Sequence, residues 1–175
     1  MSPERRKKMI EKVSPQEKHD LLKSLLYFLT GGKFVNVATC NLERMPNVAP
    51  KLIAKVDDDN LYIVDYVLGT TYVNIKENPR VSVSFVDDKT FTGYQLNGTA
   101  TVIEKGPEFE RLAEEFQKIK TDFTVERILY NVRTGEKASA SPEFSLPEKF
   151  AILRIKVIEI VEISSTGHLK SRFSL

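Results

Sequence analysis

Residues 60–85 constrain the fold of this chain most, because different secondary-structure signals follow one another there in direct succession. An apolar run over 61–68 predicts a strand, which a Gly-Thr-Thr turn ends. Residues 72–77 can then form about two turns of helix. That helix ends before Pro79, because a residue preceding proline disfavours the helical conformation. Alternation of apolar residues with serines over 81–85 predicts a second, half-buried strand.

The turn between the first of these strands and the helix has the chemistry of an anion site. It carries the hydroxyls of Thr70 and Thr71, and it opens a helix whose first N–H groups and positive dipole end attract phosphate. The alternative is that Thr70 only caps the helix, a common role that needs no ligand. The residues of the turn leave both interpretations open.

Composition indicates an ordinary soluble protein and excludes several functional classes. The 175 residues suffice for a core, and we assign 1–175 to a single domain. A net charge of +2 is too balanced to indicate nucleic acid or membrane as a partner, and no apolar run reaches the ~20 residues of a membrane span. The single cysteine, Cys40, excludes an intrachain disulfide and fits a reducing cytoplasm, where we expect the protein to be located.

The remaining segments alternate strand and turn signals, with helix signals towards both ends. Ser14 and Glu17 form a predicted capping box before a leucine-rich helix. Pro50 marks a strand edge or a bulge, and Gly98 a bulge or a close backbone approach. Strands are predicted over 34–40, 47–56, 61–68, 81–85, 91–104 and 150–163, helices from 107 and over 125–132, a basic arm over 1–13, a long loop over 133–149 and an exposed tail over 164–175. This pattern favours a mainly β fold, a closed six-stranded antiparallel barrel with flanking helices.

The sequence contains no self-contained catalytic constellation. Two histidines, His19 and His168, cannot form a metal cage alone, and neither a glycine-rich phosphate loop nor a G-x-S-x-G motif occurs. Cys40 lies on a predicted strand and is interpreted as a small core residue rather than a nucleophile. We therefore predict no metal site and assign no catalytic residue. If the protein is an enzyme, a bound cofactor does the chemistry.

Four segments carry a resemblance to a known family. They read F-V-N-V-A-T-C-N-L-E-R-M-P-N-V-A-P-K, L-Y-I-V-D-Y, N-I-K-E-N-P-R-V-S-V-S-F and L-N-G-T-A-T-V-I-E. In this order and spacing they resemble the pyridoxamine 5′-phosphate oxidase-related, FMN-binding split-barrel family, over roughly residues 22–120. The resemblance implies a six-stranded antiparallel split barrel with Greek-key connections. It also implies a homodimer with two FMN molecules in the grooves between the subunits.

The chain departs from the oxidase itself at several points. In the oxidase the turn that corresponds to residues 69–71 carries Ser-Arg-Lys, whose cations bind the flavin phosphate, whereas Lys51 does match a phosphate-side lysine of the family. The oxidase's C-terminal substrate segment is not recognisable, since this chain has no tryptophan, and His168 and Arg172 are only a faint echo of it. The segment 106–149 is an insertion that we expect to cover one side of a flavin site.

What the resemblance implies is an FMN-binding flavoprotein, an oxidoreductase or flavin reductase that is not pyridoxamine phosphate oxidase itself. Two alternatives stay open on the same fold. One is a flavin-binding carrier without turnover. The other is a reductase that uses F420, whose longer tail usually requires more basic residues than Lys51 alone.

The resemblance, together with the hydroxyl-bearing turn, implies a cofactor site in three parts. Lys51, Thr70 and Thr71 are expected to hold the flavin phosphate, unless Lys51 is only a surface lysine. The flavin edge is expected to lie along Asn47, Val48, Ala49 and Pro50 and along Val64 and Asp65, with Gln95 and Asn97 reaching the ring. A second copy of the chain is expected to cover the barrel edge that carries Pro50, since an open edge otherwise risks nonspecific pairing.

Overall fold

The computed structural model describes most of the chain. The described ranges are 14–29, 34–57, 60–87, 89–134 and 149–175. The predicted basic arm and most of the predicted loop over 133–149 lie outside these ranges. The elements are helix α1 (Pro15–Leu29), strands β1 (Phe34–Cys40), β2 (Pro46–Asp57) and β3 (Asn60–Asp65), helix α2 (Thr70–Glu77), strands β4 (Arg80–Asp87) and β5 (Thr92–Ile103), helix α3 (Pro107–Thr134), and strands β6 (Ala151–Ile163) and β7 (Leu169–Ser174).

Strands β1 to β6 close into an antiparallel barrel because β3 pairs with β6. The strand order is β3-β2-β1-β4-β5-β6-β7, and the additional β3–β6 pairing joins the two ends of the first six strands. Strand β6 uses residues 151–156 for β3 and residues 159–163 for β7, while β5 lies along its other edge. The predicted mainly β fold, a closed six-stranded antiparallel barrel with flanking helices, is confirmed.

The barrel core follows from the alternation of apolar residues along the strands. In β1, Val35 and Val37 point inward and are buried, while Phe34 points outward and is exposed. The inward residues of β4 are Val81, Val83 and Phe85, as their alternation with serines predicts. Helix α1 adds to the same core cluster through Leu22, Leu25, Leu26 and Leu29.

The capping box predicted at the start of α1 is confirmed. The backbone N–H of Ser14 donates to Glu17 Oε2 over 2.8 Å, and the N–H of Glu17 donates to Ser14 Oγ over 3.3 Å. These two bonds satisfy N–H groups that have no acceptor within the helix.

Helix α3 is one continuous element, so the prediction of two separate helices is wrong. No glycine or proline occurs over 108–134, and nothing in that stretch breaks a helix. Its first half covers the outer face of the barrel, where Leu112 packs with Tyr62 and Phe116 packs with Leu52. None of the helices in the described ranges combines the length and the hydropathy needed to cross a bilayer.

The C-terminal tail, predicted to be exposed, instead forms strand β7. Ser171 and Phe173 are buried, and Phe173 belongs to the main core cluster. Glu162 of β6 accepts hydrogen bonds from Lys170 Nζ over 2.7 Å and from Ser171 Oγ over 2.9 Å. The segment is short and polar in composition. The alternation of buried and exposed residues in β7 is therefore recognisable only once its pairing with β6 is known.

Pro50 and Gly98 both mark the irregularities that the sequence predicts. Pro50 lies in the half of β2, residues 46–51, that pairs with β1 alone, so its missing N–H disrupts no ladder on the other side. The register of β5 and β6 shifts between Asn97 and Gly98. A Cβ at Gly98 would lie 2.2 Å from the carbonyl oxygen of Lys156, so only glycine allows the two backbones to approach this closely.

Gly98→Ala is therefore expected to lower the free energy of unfolding by about 3 kcal/mol, the upper end of overpacking penalties. Gly93→Ala is the matched control on the same strand, because a Cβ there would meet Ile163 Cβ at 3.6 Å, an ordinary contact. We expect the control to stay within about 0.5 kcal/mol of the parent. Urea denaturation followed by circular dichroism measures both. Equal stabilities for the two variants would contradict the close approach at Gly98.

Candidate functional site

The first half of β2 has one edge without a partner strand among the described residues. Strand β1 pairs with residues 46–52, whereas pairing with β3 begins only at Leu52. In an antiparallel ladder, alternate residues point their N–H and C=O groups away from the partner. The free edge over 46–51 thus presents backbone donors and acceptors, and it contains five of the predicted site residues, 47–51.

The side chains along this edge alternate between two faces. Asn47, Ala49 and Lys51 pair with the inward-pointing residues of β1, so they lie on the barrel side of the sheet. Val48 and Pro50 lie on the outer face, where both are exposed. The backbone of the predicted stretch therefore lies at the free edge, while its side chains alternate between the barrel side and the outer face of the sheet.

A polar cluster ties α2 across one end of the barrel, next to this edge. Asn47 Nδ2 donates to Thr71 Oγ1 over 3.0 Å and to Thr39 Oγ1 over 3.2 Å. Asn74 Nδ2 donates to the same Thr39 oxygen over 3.1 Å, and Thr39, Thr71 and Asn74 are all buried. Buried side chains that are hydrogen-bonded in this way stay in one arrangement, because breaking a bond would leave a buried donor without an acceptor. The start of α2 is thereby fixed beside the β2 edge.

The start of α2 is open towards solvent. Gly69 is the N-cap and makes no side-chain capping bond, so the alternative in which Thr70 caps the helix is wrong. Thr70 is exposed, and the first turn holds no acidic residue. The backbone N–H groups of the first turn lack acceptors within the helix, and the helix dipole places partial positive charge there. This end of α2 can accept an anion.

Lys51 is not a free surface lysine. Its Nζ lies 2.7 Å from Asp65 Oδ1, and the side chains are 11% and 0% exposed. Asp65 Oδ1 also accepts the backbone N–H of Val67 over 3.3 Å, while Oδ2 is buried with no hydrogen-bond partner among the described residues. The structure thus brings two predicted site residues together as an ion pair, in which the lysine charge is already offset.

Val64 is separated from the other predicted residues. It is fully buried against Leu52 and Phe116 beneath α3, and its backbone pairs with both β2 and β6. Neighbouring Tyr66 packs on Phe116 with ring centroids 5.7 Å apart, and burial raises the pKa of its phenol. A phenol with a raised pKa stays neutral near pH 7, so it adds no charge beside Asp65.

Gln95 and Asn97 lie on the outer face of β5, away from the β2 edge. Gln95 pairs with Ser84, Ser84 with Asn36, and Asn36 with Pro50, so these four residues form one row across four strands. Three interstrand spacings of about 4.8 Å put Gln95 roughly 14 Å from Pro50. Beside this row, the outer face of β1, β4, β5 and β6 forms a shallow groove of about 690 Å³, lined in part by Ser82, Asn97 and Ile158.

Comparison with known proteins identifies the family. A model of the family described as pyridoxamine 5′-phosphate oxidase matches residues 21–162. The chain belongs to the pyridoxamine 5′-phosphate oxidase family. A pyridoxamine 5′-phosphate oxidase homolog of Saccharomyces cerevisiae is 36% identical over 74 residues, which cover 36% of this chain and 37% of the yeast protein. The match to that relative thus spans little more than a third of its length.

Solved structures share the fold of this pyridoxamine 5′-phosphate oxidase family member. A protein related to general stress protein 26, from Clostridium acetobutylicum, superposes with a TM-score of 0.58 at 19% identity, covering 90% of this chain and 96% of the other. A pyridoxamine 5′-phosphate oxidase-related, FMN binding protein from Nostoc punctiforme gives a TM-score of 0.51 at 14% identity, covering 92% and 88%. At these identities the likeness shows the fold alone.

Sequence reasoning missed several polar residues of this family member. Thr39 and Asn74, which hold α2 to the barrel, are not among the site residues that the sequence predicts. A signal for Thr39 does exist, because the alternation of β1 puts it on the same face as buried Val35 and Val37. Asp65 was expected beside the flavin, but its pairing with Lys51 depends on strand register, which the sequence leaves open.

Proposed function

We propose that the protein is an FMN-binding flavoprotein that works as an oxidoreductase or flavin reductase distinct from pyridoxamine phosphate oxidase. The observation that carries this proposal is the free β2 edge lying directly beside the open start of α2. Family membership supports it, as does the fold shared with a Nostoc protein described as FMN binding.

The β2 edge fits the ring of a flavin in donor and acceptor pattern. The polar edge of the ring places an N–H between two carbonyl groups. The open strand edge over 46–51 presents backbone C=O groups and those N–H groups that remain beside Pro46 and Pro50, which have none, so it can both accept from and donate to that ring edge. The cluster around Asn47 holds this part of β2 in place, so the edge needs little rearrangement on binding.

The start of α2 fits the phosphate. Its free N–H groups and the exposed hydroxyl of Thr70 can donate to phosphate oxygens. The hydroxyl oxygen of Thr71 already accepts a bond from Asn47, so we assign its backbone N–H to the phosphate before its side chain. Lys51 contributes less than a free cation because Asp65 offsets its charge. In this chain the phosphate site therefore depends on the helix start in place of an arginine–lysine pair.

We further propose that the site is completed by a second copy of the chain. Gln95 and Asn97 lie on the outer face, too far from the β2 edge to reach the same ring within one chain. That face also exposes Phe34, Val48 and Val86, which are 66%, 63% and 61% exposed. A homodimer would cover these apolar residues and bring the partner subunit's Gln95 towards the flavin.

Bound FMN would supply hydride and electron transfer between a reduced donor and an acceptor. The chain's own residues would bind and orient the flavin, and no side chain is assigned a proton-transfer role. The C-terminal strand supports a substrate other than pyridoxamine phosphate. Arg172 Nε lies 3.2 Å from Glu159 Oε1, so its charge is directed to the protein itself. His168 lies in an exposed turn, where its Nδ1 is 3.2 Å from Thr166 Oγ1.

The purified protein is expected to carry or take up FMN and to be reduced by NADH or NADPH. Mass spectrometry of the released chromophore identifies the cofactor, and anaerobic stopped-flow absorbance follows its reduction. Bound FMN that neither nucleotide reduces would favour a carrier without turnover, and F420 in the released fraction would favour a deazaflavin-dependent reductase. Failure to bind any flavin at micromolar concentration would contradict the proposal.

The phosphate assignment predicts a selective effect of Thr70 substitutions. Thr70→Ala should weaken FMN by about 0.5–1.5 kcal/mol, the range for a neutral hydrogen bond, and Thr70→Asp should weaken it further because a carboxylate repels phosphate. Riboflavin, which lacks the phosphate, should bind both variants as it binds the parent. Fluorescence titration measures all the affinities. Equal losses for the two flavins would place the phosphate elsewhere.

Thr70 tests this assignment more cleanly than Lys51 does. Lys51→Ala is predicted to weaken FMN more than riboflavin, but it would also leave the buried Asp65 carboxylate without its cation. Removing one partner of a buried ion pair destabilises a protein by about 3–5 kcal/mol. Thr70 is exposed and has no such partner to lose, so its variants separate binding from folding.

A further inference from the structure

The groove on the outer face is bounded on one side by a β-bulge. The partners of Asn97 and Gly98 on β6 are Glu159 and Val157, in that order. Ile158 therefore has no partner on β5, and the bulge turns its side chain outward, where it is 48% exposed, although Val157 just before it is buried. A bulge of this kind re-aims one side chain and is common beside functional sites. Ile158 thus forms an apolar wall of the groove.

The floor of the groove is made of small residues. Ala38 of β1 pairs with Ser82 of β4, and Ser82 pairs with Asn97 of β5. Gly98, beside Asn97, adds no side chain to the surface. A floor without large side chains suits a flat ligand, and the volume of about 690 Å³ is within the range of about 300–1,000 Å³ for small-molecule sites.

Arg80 supplies the charge of the groove. Among the described residues that line it, Arg80 is the only charged one, and its exposed side chain pairs with no described carboxylate. Its backbone is held in place, because its N–H donates to Asn78 Oδ1 over 3.3 Å while Asn78 Nδ2 donates to the carbonyl oxygen of Cys40 over 3.1 Å. The guanidinium group is therefore available to a ligand at a fixed end of the groove.

The one carboxylate next to Asn97 does not offset this cation. Glu159 Oε2 accepts a hydrogen bond from Asn97 Nδ2, and Glu159 Oε1 lies 3.2 Å from Arg172 Nε. The lining of the groove thus carries one net positive charge. One positive charge matches a carboxylate, which is a monoanion, better than a phosphate ester, which is mostly a dianion near pH 7.

We propose that this groove binds a small planar carboxylate as the substrate, with Arg80 as the residue that selects its charge. The planar fork of a guanidinium group binds both oxygens of a carboxylate at once. The apolar body of the ligand would lie on Ala38 and against Ile158. The substrate role rests on the proposed function, in which the partner subunit's Gln95 lies towards the flavin. Asn97 follows two residues later on the same face, so the groove would open beside that flavin.

The competing explanation is that Arg80 is only a solvated surface cation. Arg133, in the last turn of α3, is the matched control for that role, because it is an exposed arginine outside the groove. A general effect of positive surface charge on anion binding would change equally in Arg80→Gln and in Arg133→Gln. A site in the groove would respond to Arg80→Gln alone.

The experiment compares benzoate with its neutral analogue benzamide and with phenyl phosphate, by calorimetry on the purified protein. The parent is expected to bind benzoate at least about tenfold more tightly than benzamide, the lower end for hydrogen bonds to a charged group. This preference should fall to about twofold or less in Arg80→Gln and persist in Arg133→Gln. Ile158→Ala should weaken both benzoate and benzamide by about threefold and keep the preference, because it removes only apolar contact.

The preference for benzoate is the decisive readout, and thermal unfolding checks that the variants fold. A parent without this preference, an equal loss in Arg133→Gln, or tighter binding of phenyl phosphate than of benzoate would overturn the proposal. In the FMN-loaded parent, benzoate should also shift the visible absorbance of the flavin, and an unchanged spectrum would overturn the substrate role. A protein that binds benzoate through Arg80 but takes up no flavin would overturn the proposed function while the carboxylate site stood.

Discussion

The pairing of β3 with β6 is the constraint on which the rest of the structure depends. It closes the barrel, but β3 has 6 residues and its neighbour β2 has 12. The first half of β2 therefore extends past the end of β3 and keeps a free edge. The chain leaves β3 at Asp65 and starts α2 at Thr70, and the bonds from Asn47 hold that start beside the free edge. A difference in strand length thus creates the candidate site.

The candidate site does not offer a free lysine charge to a phosphate. Lys51 and Asp65 offset each other in a nearly dry environment, where a lone charge would be strongly destabilising. At the join between β2 and β3, each of these two charges therefore requires the other. We propose that attraction for an anion comes instead from the start of α2, whose first turn has N–H groups without acceptors in the helix and no acidic residue. Such a site would bind a phosphate through the geometry of its N–H donors more than through net charge.

Features that depend on one residue's backbone chemistry were predictable from the sequence. Pro50 lies on a free edge because it has no N–H, and Gly98 lies at a register shift because no Cβ fits there. Features that depend on register or on distant partners were not. Lys51 meets Asp65 only in the observed pairing, and Phe173 is buried only because β7 pairs with β6. The sequence alone therefore indicated the barrel and the stretch that forms the site, but not its internal contacts.

We propose that one chain supplies half of a flavin site and that a second copy of the chain completes it. Sedimentation velocity with flavin absorbance measures this directly, on the parent and on Val48→Glu, with Val125→Glu as a matched change at an exposed valine on α3. The account predicts a dimer that carries FMN for the parent and for Val125→Glu. For Val48→Glu it predicts a monomer that has lost the flavin. A monomeric parent, or a monomeric Val48→Glu that binds FMN as tightly as the parent, would contradict it.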